Sequence, residues 1–230
     1  MLTPTEILRA LENCIFDDLT EYNYYENVIK LMDQSVISGG AYDSGATKLV
    51  LMPPLESFVI KIPFCGVENE EYDPDDDDEE EDEFNLPVLP FECAAEPDHW
   101  DYCEAEVLKW EKAAEAGLGH LLAKIELIGH VHGHPIYIQD KMEIFGESRT
   151  LSHYSPEIRQ KTIDKCNELD VACFNSSWLS DFLDYFSEQT LKKLYSWLSD
   201  NYIFDLHCGN IGYVPETGQP IIVDYGDFYD

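Results

Sequence analysis

The sequence predicts an α+β chain of two lobes: helices, then a five-stranded antiparallel sheet with one inserted helix, then a helical lobe that closes on a short hairpin. Three observations carry that prediction. Short β-prone runs bounded by turn residues fill much of positions 1–142. Apolar residues at helical spacing dominate the stretch from 155 to 204. Between the first three runs and the remainder lies an acidic segment, in which 13 of the 16 residues 68–83 are Asp or Glu. Like charges so close repel and cannot pack, so residues 66–98 are expected to form a solvated, disordered loop. Expected domains are 1–142, with the sheet, and 143–230, with the helical lobe.

Taken in order, Thr3-Pro4-Thr5-Glu6 supplies an N-cap, a first-turn proline and a glutamate three residues after the cap. Ile7, Leu8, Leu11, Cys14 and Ile15 follow at helical spacing, and a second helix is expected over 18–32. Val36-Ile37, SGGAYDSGAT, KLVLM, Pro-Pro and FVIKIPF then give three β-prone runs joined as a meander. A helix is predicted over 100–116, with Val107, Trp110, Ala113 and Ala114 on one side and Gly117-Leu118-Gly119 ending it. LAKIELIGHV and PIYIQDKM flank a Gly-His turn as a hairpin. Ser155-Pro156-Glu157 opens the next helix, residues 175–186 contain another, and Ser187-Glu188 opens a third with Leu191, Leu194, Trp197 and Leu198 on one stripe. NIGYV, PETGQP and PIIVDY read as strand, turn and strand.

Charge narrows the function classes. Fourteen Lys and Arg stand against 47 Asp and Glu, a formal charge of −33 on 230 residues. Nucleic-acid binding needs phosphate neutralisation, which such a chain cannot supply broadly; a basic protein partner, met through the acidic loop, suits it better. An apolar share of 44% is globular composition. No apolar run approaches the roughly 20 residues of a membrane span. The first residues lack the basic region of a secretory signal, and the seven scattered cysteines never form CxxC, so reduced thiols in a cytoplasm are expected.

The chemistry-bearing residues cluster late. Asp205 and Asn210 stand five residues apart just after an amphipathic helix, and Asp224 opens Asp224-Tyr225-Gly226 fourteen residues on. Magnesium takes hard oxygen ligands and keeps several waters, so an Asn oxygen and one carboxylate suffice when phosphates complete its shell. Asp205 is then left to orient or deprotonate an attacking hydroxyl.

FDLHCGNIG…PIIVDYG resembles the DxxxxN catalytic loop, hairpin and DFG-type metal loop of the protein-kinase-like superfamily. The His two residues after Asp205 is closer to the aminoglycoside and choline phosphotransferase branch and to small kinase-like proteins of phages. The resemblance, over about residues 36–226, implies a two-lobed kinase-like fold, ATP and Mg2+ as cofactors, and a host cytoplasm if the chain is phage-encoded. It assigns catalysis to Asp205 and the metal to Asn210 and Asp224. Lys61 in FVIKI matches the third-strand lysine that holds the α- and β-phosphates, with Glu106 as its ion-pair partner and Glu104 as the competitor. Gly39, Gly40 and Gly45 stand where a phosphate-covering loop would be, and the backbone from Asp140 to Met142 would face adenine.

Departures accompany the match. Ile203-Phe204 replace the His-Arg of the kinase loop, the glycines lack GxGxxG spacing, and 45 residues separate Lys61 from Glu106. Asp230 stands four residues after DYG, so a truncated C-terminal lobe without a peptide-docking subdomain is expected. Two functions therefore stay open: a phosphotransferase acting on a protein or small-molecule hydroxyl, or an inactive pseudokinase serving as an acidic interaction or inhibitor module. The plainer roles are loop capping for the Asp205, Asn210 and Asp224 set, a snorkelling edge lysine for Lys61, and exposed turn positions for His130, His132 and His134.

Overall fold

The computed structural model describes residues 2–14, 19, 40–44, 47–64, 101–145, 154–169, 179–204, 206–207 and 209–226. The acidic loop over 66–98, the run at 36–37 and, apart from Leu19, the helix expected over 18–32 lie outside them. The chain forms two compact units, residues 1–103 with 126–138, and residues 104–125 with 139–230.

The first unit opens with helix α1 (Pro4–Leu11). Its start is a capping box: the Glu6 amide donates to Thr3 Oγ1 at 3.3 Å and the Thr3 amide donates to Glu6 Oε2 at 2.8 Å. Two of the backbone donors left open at a helix start are satisfied this way, which sets where α1 begins. Ile7 and Leu11, one turn apart, are buried. Strands β1 (Ala41–Ser44), β2 (Lys48–Met52), β3 (Phe58–Pro63), β4 (Ile125–Val131) and β5 (His134–Asp140) form a sheet in the order β1-β2-β3-β5-β4, with β1/β2 and β2/β3 antiparallel. Among the described residues the first strand lies inside the glycine-bearing segment, at Ala41–Ser44.

Alternation along the strands sorts the sheet into two faces. Leu49 pairs with Ile62 and Leu51 with Ile60, and these four join Ile7, Leu11, Cys14, Phe58, Val131 and Ile136 in one apolar cluster. Val50 pairs with Lys61, so Val50, Lys61 and Val59 point the other way. All six residues of β3 are buried. That suits a strand covered on both faces, and it explains the nearly continuous apolar run in FVIKIP.

The β4–β5 turn meets the expectation of exposed histidines at His130 and His132 and departs from it at His134. His132 has φ 52 and Gly133 φ 88, so the chain reverses between them. His130 is exposed, His134 is buried, and His132 Nε2 lies 2.7 Å from the Glu12 carbonyl oxygen at the end of α1.

Helix α2 (Tyr102–Glu115) runs between β3 and β4 in sequence. Its buried positions are Cys103, Glu106 and Ala113, whereas Ala114, expected on the packed side, is exposed. Gly117, at φ 72, turns the chain out of the helix, a backbone state that costs glycine nothing. In the second unit follow β6 (Glu143–Ile144), α3 (Pro156–Leu169), α4 (Leu179–Tyr185), α5 (Glu188–Asp200), β7 (Ile211–Tyr213) and β8 (Pro220–Ile222). The Ser187 hydroxyl caps α5, whose Leu191, Leu194 and Leu198 are buried while Trp197 is half-buried. Strands β6, β7 and β8 make a second, three-stranded antiparallel sheet; β6 has no counterpart in the sequence reading. No helix among the described residues is long and apolar enough to cross a membrane.

Gly212 is the tight point of that small sheet. A Cβ there would sit 2.9 Å from the Glu143 carbonyl oxygen, 3.1 Å from Met142 Cβ and 3.3 Å from Val223 Cγ1. The nearest of these is backbone in a paired strand and cannot swing aside. Gly212→Ala should therefore destabilise the protein by about 1–3 kcal/mol through overpacking. Urea unfolding checks this, and an unchanged midpoint would refute the packing described.

Candidate functional site

Helix α5 delivers the chain to the Asp205–Asn210 stretch. Its last turn closes with the Ile203 amide donating to the Leu198 carbonyl at 2.9 Å, while Tyr202 takes a left-handed conformation at φ 56. Glycine usually fills that position, and a side chain there costs about 1 kcal/mol or somewhat more. The turn sends Ile203 and Leu206 inward as buried anchors and leaves Tyr202 and Phe204 exposed, edge to face with ring centroids 6.3 Å apart.

Asp205 itself, with Cys208, Gly39 and Gly45, lies outside the described residues. Beyond it the backbone folds tightly: the Asn210 amide donates to the His207 carbonyl at 2.9 Å, and the Gly209 amide donates to His207 Nδ1 at 2.9 Å. An accepting Nδ1 puts the ring proton on Nε2.

Asn210 and Asp224 are brought together by backbone. The Asn210 carbonyl accepts from the Val223 amide at 2.8 Å and from the Asp224 amide at 3.4 Å. Pairing of β7 with β8 explains this, since Ile211 lies opposite Ile222 and the residues just outside each strand must meet. Both side chains are half-buried. Fourteen residues of sequence separation thus collapse into neighbouring positions.

The segment after β8 also reaches Glu106. Gln139, buried near the end of β5, donates from Nε2 to the Val223 carbonyl at 3.0 Å and approaches Glu106 Oε2 at 3.4 Å. Tyr225 is buried and its hydroxyl donates to the Ala123 carbonyl at 2.6 Å. Burial first, then the negative charge of Glu106, holds that phenol well above its usual range; Asp224 and Asp140 add to the effect and a hydrogen bond with Gln139 opposes it. Glu106, Gln139, Val223, Asp224 and Tyr225 therefore form one cluster. Between the two acidic candidates on α2, Glu106 is fully buried (0% exposed) and Glu104 is exposed.

The remaining candidates are placed as follows. Lys61 is buried in the middle of β3, 3% exposed, on the sheet face opposite the Leu–Ile cluster. Gly40 directly precedes β1. Asp140 ends β5, exposed, and its amide donates to the Lys124 carbonyl at 3.0 Å. Met142 packs beside Ala123, Ile221 and Val223.

Three residues went unnoticed in sequence. Lys48, also buried, shares the face of Lys61, because positions 48 and 50 of β2 point the same way and Val50 opposes Lys61. Gln139 and Tyr225 complete the polar cluster. Only Tyr225 carried a signal, as the middle residue of DYG.

Among the described residues, no group of three or more His, Cys, Asp or Glu side chains gathers as a metal site. The available donor pair, one amide oxygen and one carboxylate, is hard and incomplete. Such a pair fits magnesium that arrives with phosphates rather than an ion the protein holds alone. Compared with protein-family models, curated proteins and solved structures, the chain finds no match in any of the three.

Proposed function

We propose that this chain is a Mg-ATP-dependent phosphotransferase of minimal protein-kinase-like architecture, acting on the hydroxyl of a protein or small molecule. The observation that carries the proposal is the convergence of Asn210, Asp224 and Glu106 in one cluster, from sequence positions spread over more than a hundred residues. Loop capping alone gives no reason for a fully buried glutamate to be bridged to the backbone beside Asp224.

Support also comes from the five-stranded sheet. Its order sets β3, which carries the buried Lys61, directly beside β5. In this reading Lys61 serves the α- and β-phosphates, Glu106 orients the lysine, Asn210 and Asp224 hold Mg2+, and Asp205 directs the acceptor hydroxyl. Magnesium, when bound, offsets the charge of the triphosphate, which a chain at −33 otherwise repels.

Thermal unfolding with Mg2+ and ATP tests the proposal. A ligand at a hundred times its dissociation constant stabilises the folded state by about 2.7 kcal/mol. For a chain of this size that is a rise of roughly 5–10 °C. ATP or Mg2+ alone should give much less. No rise with both present would overturn the nucleotide assignment and leave the acidic interaction module in its place.

A further inference from the structure

Resting on the nucleotide-site reading, we infer that Gln139 is a positioning residue that couples Glu106 on α2 to the metal loop at Asp224. Its Nε2 faces two acceptors, Glu106 Oε2 at 3.4 Å and the Val223 carbonyl at 3.0 Å. Two acceptors on one side require two donors from one atom, and an uncharged amide nitrogen carries two N–H groups. The opposite amide orientation would set oxygen against both, so the chemistry fixes which way Gln139 points.

Val223 in turn donates its amide to Asn210, giving a continuous chain Glu106–Gln139–Val223–Asn210 with Asp224 as the next residue. Gln139 is 3% exposed, so water cannot substitute for its donors. Without them the Val223 carbonyl is deprived of its side-chain donor and the glutamate of the amide that faces it. The helix and the loop can then move independently, and the metal ligands lose their fixed direction. Residues that orient metal ligands typically account for tenfold or greater changes in metal affinity.

The experiment compares Gln139→Met, which keeps side-chain length and removes both donors, with Ile7→Val in the apolar cluster of the other unit. Gln139→Asn, which keeps the amide and withdraws it by one methylene, provides a milder variant with an intermediate expected effect. Amide hydrogen exchange is measured on the free proteins, and Mg2+ is titrated against ATP-dependent thermal stabilisation. Gln139→Met should speed exchange in residues 104–110 and 221–226 together and raise the Mg2+ requirement about tenfold. Ile7→Val should do neither.

Unchanged exchange in either segment overturns the coupling, whatever the nucleotide does. Joint acceleration with an unaltered Mg2+ requirement reduces Gln139 to packing and overturns it as well. If the parent shows no Mg-ATP response yet both segments loosen together, the nucleotide assignment falls while the coupling stands.

Discussion

Asp224→Ala is expected to erase the Mg-ATP-dependent rise in melting temperature while leaving the nucleotide-free protein melting close to the parent. The two halves of that result have separate causes. In the proposed assignment Asp224 supplies the one carboxylate of the donor pair, and an amide oxygen from Asn210 would not hold a divalent cation beside a triphosphate unaided. The side chain is half-buried, and the amide of residue 224, which donates to the Asn210 carbonyl, survives the substitution. The substitution also removes one of the negative charges that bear on Tyr225, together with Glu106 and Asp140. Asn210→Ala should weaken the response without abolishing it, since the main-chain carbonyl that organises the loop remains. If Asp224→Ala retained the full Mg-ATP shift, the metal assignment would be wrong.

Much of the fold was legible because periodicity reports burial. The stripe of Leu191, Leu194 and Leu198 and the continuous run of β3 follow directly from which side chains must leave water. The same logic failed where burial is not apolar. On α2 an apolar count favours Ala114, yet the packed stripe contains Glu106, and hydrophobicity cannot rank a charged residue as buried. Lys48 and Gln139 escaped for that reason: each sits in a strand whose polar positions would by default face solvent. The pair Glu143–Ile144 is too short to carry any period, and only its partner β7 makes it a strand. The meeting of Asn210 with Asp224 followed from a turn signal between two short strands, whereas the bridge to Glu106 depends on packing that no local pattern encodes.

Asp205→Ala is expected to cut phosphoryl transfer by about a hundredfold to ten-thousandfold, the range for losing a positioned general base, while sparing the Mg-ATP melting shift. Binding and turnover separate because the metal pair and the lysine belong to other positions in this assignment, and Asp205 would meet only the acceptor hydroxyl. The flanking sequence can bear the change. Ile203 and Leu206 are buried nearby, and the Gly209 and Asn210 amides both donate to His207, bonds that the substitution leaves in place. Asp205→Asn sharpens the test, since the amide keeps the shape and can still orient a hydroxyl but cannot accept its proton. Turnover of Asn above Ala would assign part of the effect to orientation, and equal loss in both would assign it to proton acceptance. Transfer by Asp205→Ala at the parent's rate would remove Asp205 from the chemistry, and a chain that binds Mg-ATP yet transfers phosphate to nothing would be a nucleotide-binding pseudokinase.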